Sequence, residues 1–411
     1  MRQPIPPLGK PGPLTGIRVI EWCNTFAGPA CARLLADFGA DVIKVEPLEG
    51  DPVRQMGQYA DGVSLQAASI LRGKRSIALD LKTPEGKQIL RDLLVDADVM
   101  LENNRPGVME RLGFDHATLK LANPGLVTVR ISGYGQTGPY AARPGYGVIC
   151  DAFAGVRDLT GDPDRPPSRM ALATTDYLTA VYSAFGAMMA LFNRQATGEG
   201  QVVDAALYEA AFSMMEGYVP AYDKLGHLPK RQGPGLPNAA PNNLYPTRDG
   251  YVLIAANNNA TFERLAGAMV RADLLADPRF ADLRPRGQHA AELDALIAVW
   301  TRGYSSAEVE ALLIAAEVPA SRVNTLVDVF KDPHFQARDM LIDVEHPVLG
   351  STRQMGIVPR LSATPGHVRR TGPEIGADSA DILAAELGYA QARIDDLIKR
   401  GVVGIPRAAR D

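Results

Sequence analysis

The run GIRVIEWCNTFAGPACARLLADFGADVIKVEP, Gly16 to Pro47, leaves this chain few ways to fold. IRVIEW and DVIKVE are β-branched, apolar stretches of strand length, and CARLLADFGA between them carries apolar side chains at helical spacing and stops on Gly39. Strand, small-residue turn, helix and second strand make a βαβ unit, the arrangement that sets a nucleotide-bearing ligand at a helix N-terminus. The turn Asn24-Thr25-Phe26-Ala27-Gly28-Pro29 has one glycine where a GxGxxG loop has three, so a pyrophosphate cannot lie against its backbone in the usual dinucleotide manner. A different nucleotide ligand, or none, is indicated.

The pattern then repeats. RSIALDL reads as a strand, PEGKQILRDLLVDA as a helix opened by Pro84, DVMLEN as a strand and, after two short helices, LVTVRISGYG as another. Strands alternating with helices predict an α/β fold with a doubly wound, mostly parallel sheet and ligands at the carboxyl ends of its strands. Asn103, Asn104, Arg105 and Ser132 to Tyr134 fall at such ends. Asp176 to Asn193 is a helical pattern stopped at Gly198, and VVDAALYEAAFSMMEGYVPAYDKL from Val202 reads as a second long helix. Both are nearly apolar on more than one face, which places them centrally or against another subunit. The Pro-, Gly- and Asn-dense stretch from Gly226 to Asn243 is a linker loop. It divides a large domain beginning at 1–225 from a small α+β domain at 244–332, whose first hairpin turns at Arg248-Asp249-Gly250, and residues 333–411 return to dock on the large domain.

Net charge is −4, which offers no general basic surface for nucleic acid or an anionic membrane. No run of 18 apolar residues occurs and the proline-rich N-terminus lacks an apolar signal region, so a cytoplasmic protein is expected. Cys23, Cys31 and Cys150 are scattered, which suggests buried thiols rather than disulfides or zinc ligands. The six histidines form no pair at metal-ligand spacing, and neither a GxSxG elbow nor a phosphate-binding P-loop is present, so no catalytic metal is expected. Carboxylates and backbone dipoles are what remain for chemistry.

Asp176, in LATTDYLTAVYSAF, directly opens a helix. Local grounds favour a side chain that caps free backbone N–H groups there. The same place beside the helix dipole would also keep a partly buried carboxylate ionised and available as a nucleophile, and the sequence does not separate the two.

Six segments, Gly16 to Glu46, KRSIALDLKTPEGK, ENNRPGVMERLGF, NPGLVTVRISGYGQTGP, RPGYG and TGEGQVVDAALYEA, together resemble the class III CoA-transferase family. That family includes formyl-CoA, carnitine and succinyl-CoA:dicarboxylate CoA-transferases and also 2-methylacyl-CoA racemases. The resemblance implies a Rossmann-like large domain in an interlocked, ring-like homodimer with the active site at its interface. It implies acyl-CoA and a small carboxylic acid as substrates, with no cofactor beyond coenzyme A itself. The nucleophile would be Asp176, which would pass through an acyl anhydride and an aspartyl-CoA thioester. Coenzyme A would be held by Phe26, Ala27, Leu79, Lys82, Asn103, Asn104, Arg105, Arg111, Arg143 and Tyr146. Taken alone, without the resemblance, Lys82, Arg105 and Arg111 read more readily as solvated surface charges.

Two departures narrow the choice within the family. Phe26 stands where formyl-CoA transferases have glutamine and Pro47 where they have arginine, which speaks against formyl transfer to oxalate. No GGGG run occurs in the interdomain loop, where Asn238, Asn242 and Asn243 are the candidates to replace it as a substrate loop. The racemases need a histidine where this chain has Tyr146, and tyrosine with a pKa near 10 is a poor base at neutral pH. Racemization is therefore the alternative activity, and a non-catalytic acyl-CoA binding protein the alternative outside enzymes.

Overall fold

The computed structural model describes residues 11–236 and 239–406. They form two compact units, one of Arg157–Arg169 with Ala221–Phe335 and the other of the remaining described residues.

The larger unit is built on a seven-stranded sheet. Its first six strands are β1 (Arg18–Trp22), β2 (Asp41–Glu46), β3 (Arg75–Leu79), β4 (Val99–Glu102), β5 (Val127–Ser132) and β6 (Val202–Ala206). They lie parallel in the order β3-β2-β1-β4-β5-β6, and Val403–Gly404 adds an antiparallel edge beside β3. Helices cover both faces, so β1, β2, β4 and β5 are buried on both sides rather than alternately buried and exposed. On one face Val19, Val42, Val99 and Val129 pack against helix α1 (Ala27–Asp37) and the long helix discussed below. On the other, Ile20, Ile43, Ile77 and Met100 pack against α2 (Pro84–Val95) and against Ile382, Ile394 and Leu397 near the C-terminus. Helix α2 starts where the sequence puts it, with Pro84 in its first turn and the Thr83 hydroxyl accepting from Gly86 N–H.

Helix α3 (Gly147–Phe153) and α4 (Thr174–Thr197) follow β5, and α4 ends at Gly198 with φ 74°. The segment from Val202 departs from its reading as a long helix. It opens as β6, paired from Val202 against Thr128 to Ala206 against Ser132, and a helix, α5 (Leu207–Phe212), begins only afterwards. The alanines there favour helix, but Val202 and Val203 are β-branched and the open edge of β5 offers a ladder of hydrogen bonds that a helix would forgo.

In the smaller unit, Asn242–Pro246 and Tyr251–Ala255 form the expected hairpin, with Ala320–Arg322 antiparallel to its second strand. Helices cover it with a core of Tyr245, Ile254, Phe262, Leu293 and Leu313. No helix among the described residues is long and apolar enough to cross a membrane.

Candidate active site

The order β3-β2-β1-β4-β5-β6 reverses direction between β1 and β4, and the crevice outside that switch point is where such sheets take ligands. Asn24 follows β1 and Asn103 follows β4. They are joined there by two hydrogen bonds, Asn24 N–H to Asn103 Oδ1 at 2.9 Å and Asn103 Nδ2 to the Asn24 carbonyl at 2.8 Å. A cleft of about 340 Å³ opens beside this junction.

Three walls line it. Thr25, Phe26 and Ala27 bring the start of α1, whose first turn has no side-chain cap and so leaves backbone N–H dipoles for an acceptor. Asn103, Asn104 and Arg105 come from the end of β4. Beneath them, buried Glu102 accepts from Asn104 N–H at 2.8 Å and from Arg130 Nε at 2.8 Å, which fixes the loop's direction. Arg143 to Tyr146, the lead-in to α3, make the third wall, with the Arg143 guanidinium 3.4 Å from the centroid of the Tyr140 ring. This last loop lies directly on the end of β5, since a Cβ on Gly133 would stand 2.9 Å from Cα of Gly145. Only glycine at both positions permits that approach.

Asp176 lies on the same cleft. It is not the helix cap that local reading favours. The cap position of α4 is Ala173, and Asp176 sits inside the first turn because Tyr177 N–H already bonds the Ala173 carbonyl at 3.0 Å. Its carboxylate lies hard against Gly147, where any side chain would overlap Oδ2 and come within 2.8 Å of Cγ. Burial pushes the Asp176 carboxyl up to about 6. Its own backbone N–H pulls it down and the nearby charge of buried Asp151 pushes it up further. Burial thus outweighs the backbone hydrogen bond that favours the ionised form. At neutral pH the group is still mainly ionised, with little solvent to stabilise it, which suits a nucleophile.

The cleft therefore gathers Phe26, Ala27, Asn103, Asn104, Arg105, Arg143, Tyr146 and Asp176. Leu79, Lys82 and Arg111 are not part of its lining. The Leu79 side chain is buried in the core, while Lys82 and Arg111 are exposed, Arg111 lying beside Gly107. In the smaller unit the Asn243 amide donates to Asp294 at 2.7 Å, so its side chain is already engaged, and Asn242 is a strand residue paired with Ala255. Asn238 lies outside the described residues. Thr25, Val108, Ile131 and Leu207 also line the cleft without having been singled out. Among them only Thr25 carries a local signal, as a β-branched residue inside a turn.

The three cysteines are buried, and burial pushes the Cys31 and Cys150 thiols up to about 12. The Cys150 thiol donates to the Gly133 carbonyl at 3.3 Å, a packing contact behind the cleft. Among the described residues no group of three or more His, Cys, Asp or Glu side chains converges as a metal ion would require.

The model of CoA-transferase family III matches residues 14–379. The chain is 46% identical over 390 residues to the succinyl-CoA–D-citramalate CoA-transferase of Chloroflexus aurantiacus, covering 94% of this chain and 96% of that one. It is 39% identical over 397 residues to the β subunit of the succinyl-CoA–L-malate CoA-transferase of the same organism, covering 95% and 98% respectively. A solved structure of a CaiB/BaiF family protein from Brucella suis matches with a TM-score of 0.82 and 36% identity over 92% of this chain and all of that one.

Proposed function

Since this chain belongs to CoA-transferase family III, we propose that it moves CoA from succinyl-CoA to a small dicarboxylic acid through a covalent intermediate on Asp176. The observation that carries the reading is the placing of a half-buried carboxylate, raised to about 6, on one cleft with the uncapped start of α1 and the Asn103–Arg105 loop.

In this reading the Asp176 carboxylate attacks the thioester carbonyl and CoA leaves as thiolate, giving a succinyl-aspartyl anhydride. The thiolate attacks the aspartyl carbonyl and succinate leaves, giving an aspartyl-CoA thioester. The acceptor carboxylate attacks that thioester and releases the thiolate again, which then attacks the acceptor's carbonyl in the new anhydride. Acceptor-CoA departs and the Asp176 carboxylate is restored. Every bond broken is replaced, no net proton moves, and CoA passes intact from donor to acceptor. Negative charge gathers on a tetrahedral oxygen at each attack, and the N–H groups of Ala27 and Gly28 at the start of α1 are the donors suited to meet it. Arg105 and Arg143, exposed on the other two walls, suit the phosphates of the nucleotide end.

A dicarboxylate acceptor is supported by the relatives, which are named for D-citramalate and L-malate. An apolar stripe on α4, with Tyr182, Phe185, Met189 and Phe192 exposed, supports assembly with a second copy, as the family resemblance implies. The test is incubation with succinyl-CoA and a pool of small dicarboxylic acids, followed by mass spectrometry of the CoA esters and of the peptide bearing Asp176. A new acyl-CoA formed with equimolar succinate, and CoA carried on that peptide, are expected. Hydrolysis alone refutes transfer, and transfer with no modification of the peptide refutes the role of Asp176.

A further inference from the structure

Beneath the turn on the α1 side of the cleft lie four fully buried charges that the reaction above does not use. Glu21 and Lys44 are register partners on β1 and β2. Lys44 Nζ lies 3.0 Å from Glu21 Oε1 and 2.7 Å from Asp51 Oδ2, and Lys74 Nζ lies 2.6 Å from Glu21 Oε2. All four side chains are 0% exposed. Two cations and two anions offset one another, as buried charges must.

Their remaining hydrogen bonds converge on one segment. Lys44 donates to the Cys23 carbonyl at 2.8 Å and Lys74 to the Pro29 carbonyl at 2.8 Å. Between these ends, Asp51 Oδ1 accepts from Thr25 N–H at 2.9 Å and from Val53 N–H at 2.8 Å. Thr25 has φ 69°, a left-handed conformation that a β-branched residue holds only when its surroundings impose it. Residues 23–29 are thus held at both ends and in the middle by one charge cluster, and Thr25, Phe26 and Ala27 are the part that faces the cleft.

We propose that Asp51 is a positioning residue for CoA transfer, which acts through Thr25 to hold Phe26 and the start of α1 against the acyl group carried on Asp176. The inference rests on the CoA-transfer reading. Asp51 touches no substrate, and its effect is on how well the turn excludes water from the anhydride.

The experiment compares Asp51→Asn, Asp51→Ser and Asp51→Ala with the parent protein, using succinyl-CoA and the acceptor that serves the parent. The readout is the ratio of succinyl-CoA hydrolysed to CoA transferred. That ratio does not depend on the fraction of molecules folded, so a purely structural role leaves it unmoved. Asparagine keeps an oxygen for Thr25 N–H and Val53 N–H, serine keeps only the nearer cap on Val53, and alanine keeps neither. The expected ratio rises about tenfold in the serine and alanine variants, because misplacing a wall of the site by a fraction of an ångström is enough, and stays within about twofold of the parent in the asparagine variant. An unchanged ratio in Asp51→Ser overturns the proposal, and so does failure of both Asp51→Ser and Asp51→Ala to fold, which would make the residue structural. A parent protein that transfers no CoA overturns the transfer reading instead, before any variant is compared.

Discussion

Replacing Asp176 with asparagine should abolish transfer and, at the same time, stabilise the protein at neutral pH. The carboxyl rises from an ordinary 3.8 to about 6 on folding, with burial as the main cause. Each tenfold change in proton affinity is about 1.4 kcal/mol, so the full rise corresponds to roughly 3 kcal/mol. The carboxylate is partly exposed and solvent screens it, which brings the expectation to about 1–3 kcal/mol. A group that holds its proton more tightly in the folded chain favours folding when protonated. Stability therefore falls as pH climbs from about 4 to about 6, the burial cost is complete above that range, and it is absent below about pH 4 where both states are protonated. Asparagine carries no charge at any of these pH values. Denaturant unfolding of both proteins at pH 8 and at pH 4 gives the difference directly, because every other titrating group is common to the pair. The variant should be more stable by about 1–3 kcal/mol at pH 8 and nearly equal at pH 4. A variant less stable than the parent at pH 8, or a gain that does not change with pH, would refute the assignment of burial as the dominant influence on this carboxylate.

The pH dependence of turnover follows from the same displacement. Between pH 7 and pH 5 the ionised fraction of a group at about 6 drops about tenfold, so kcat/KM for the acyl-CoA should fall by that factor, whereas a carboxylate at 3.8 would give a nearly flat profile. Gly147→Ala places a methyl 2.8 Å from Cγ of Asp176 and overlapping Oδ2, so transfer should drop by about a hundredfold or more while the melting temperature stays close to the parent's. Asn103→Ala removes both hydrogen bonds to the Asn24 backbone, and a loss of about 1–2 kcal/mol in unfolding free energy is expected along with slower transfer. Arg105→Ala should raise KM for succinyl-CoA about tenfold with little change in kcat, and the difference from the parent should shrink as salt is added; a change in kcat alone would remove Arg105 from the nucleotide end.

The sheet was legible because its strands are short apolar runs bounded by glycine or proline, and α2 because Thr83 and Pro84 announce it. Val202 to Ala206 departs from its helical reading because two valines, an aspartate and two alanines satisfy either period, and only the free edge of β5 decides. Asp176 reads as a cap because an aspartate directly ahead of a helical run is a common one. That the helix starts a turn earlier depends on the Leu172 and Ala173 carbonyls, which no side-chain pattern records. The charge cluster was invisible for a different reason. Glu21, Lys44, Asp51 and Lys74 have no periodic relation along the chain; strand register sets Glu21 beside Lys44, and Asp51 and Lys74 reach the pair from outside the strands. Yet a warning is present in the strands themselves. Glu21 in IRVIEW and Lys44 in DVIKVE sit within runs that a parallel sheet buries on both faces, and a charge there is tolerable only with a partner.

The two ends of the cleft are built differently, and this sets how each responds to change. Around Asp176 the backbone is packed or tied at every point: Gly133 lies on Gly145, Gly147 against the carboxylate, the Asn24 backbone is tied to the Asn103 side chain, and the 23–29 turn is fixed by buried charges. These close contacts leave little room to absorb a displacement, so a single methyl acts on the reacting atoms themselves and must appear in kcat. At the other end Arg105 and Arg143 are long, exposed side chains that meet a ligand with charge and can be partly replaced by solvent ions, so their loss appears in KM and is screened by salt. A site divided in this way can change its affinity for the nucleotide end by surface substitution without touching the chemistry. The converse does not hold, because any change that moves the glycine contacts alters every step that passes through Asp176.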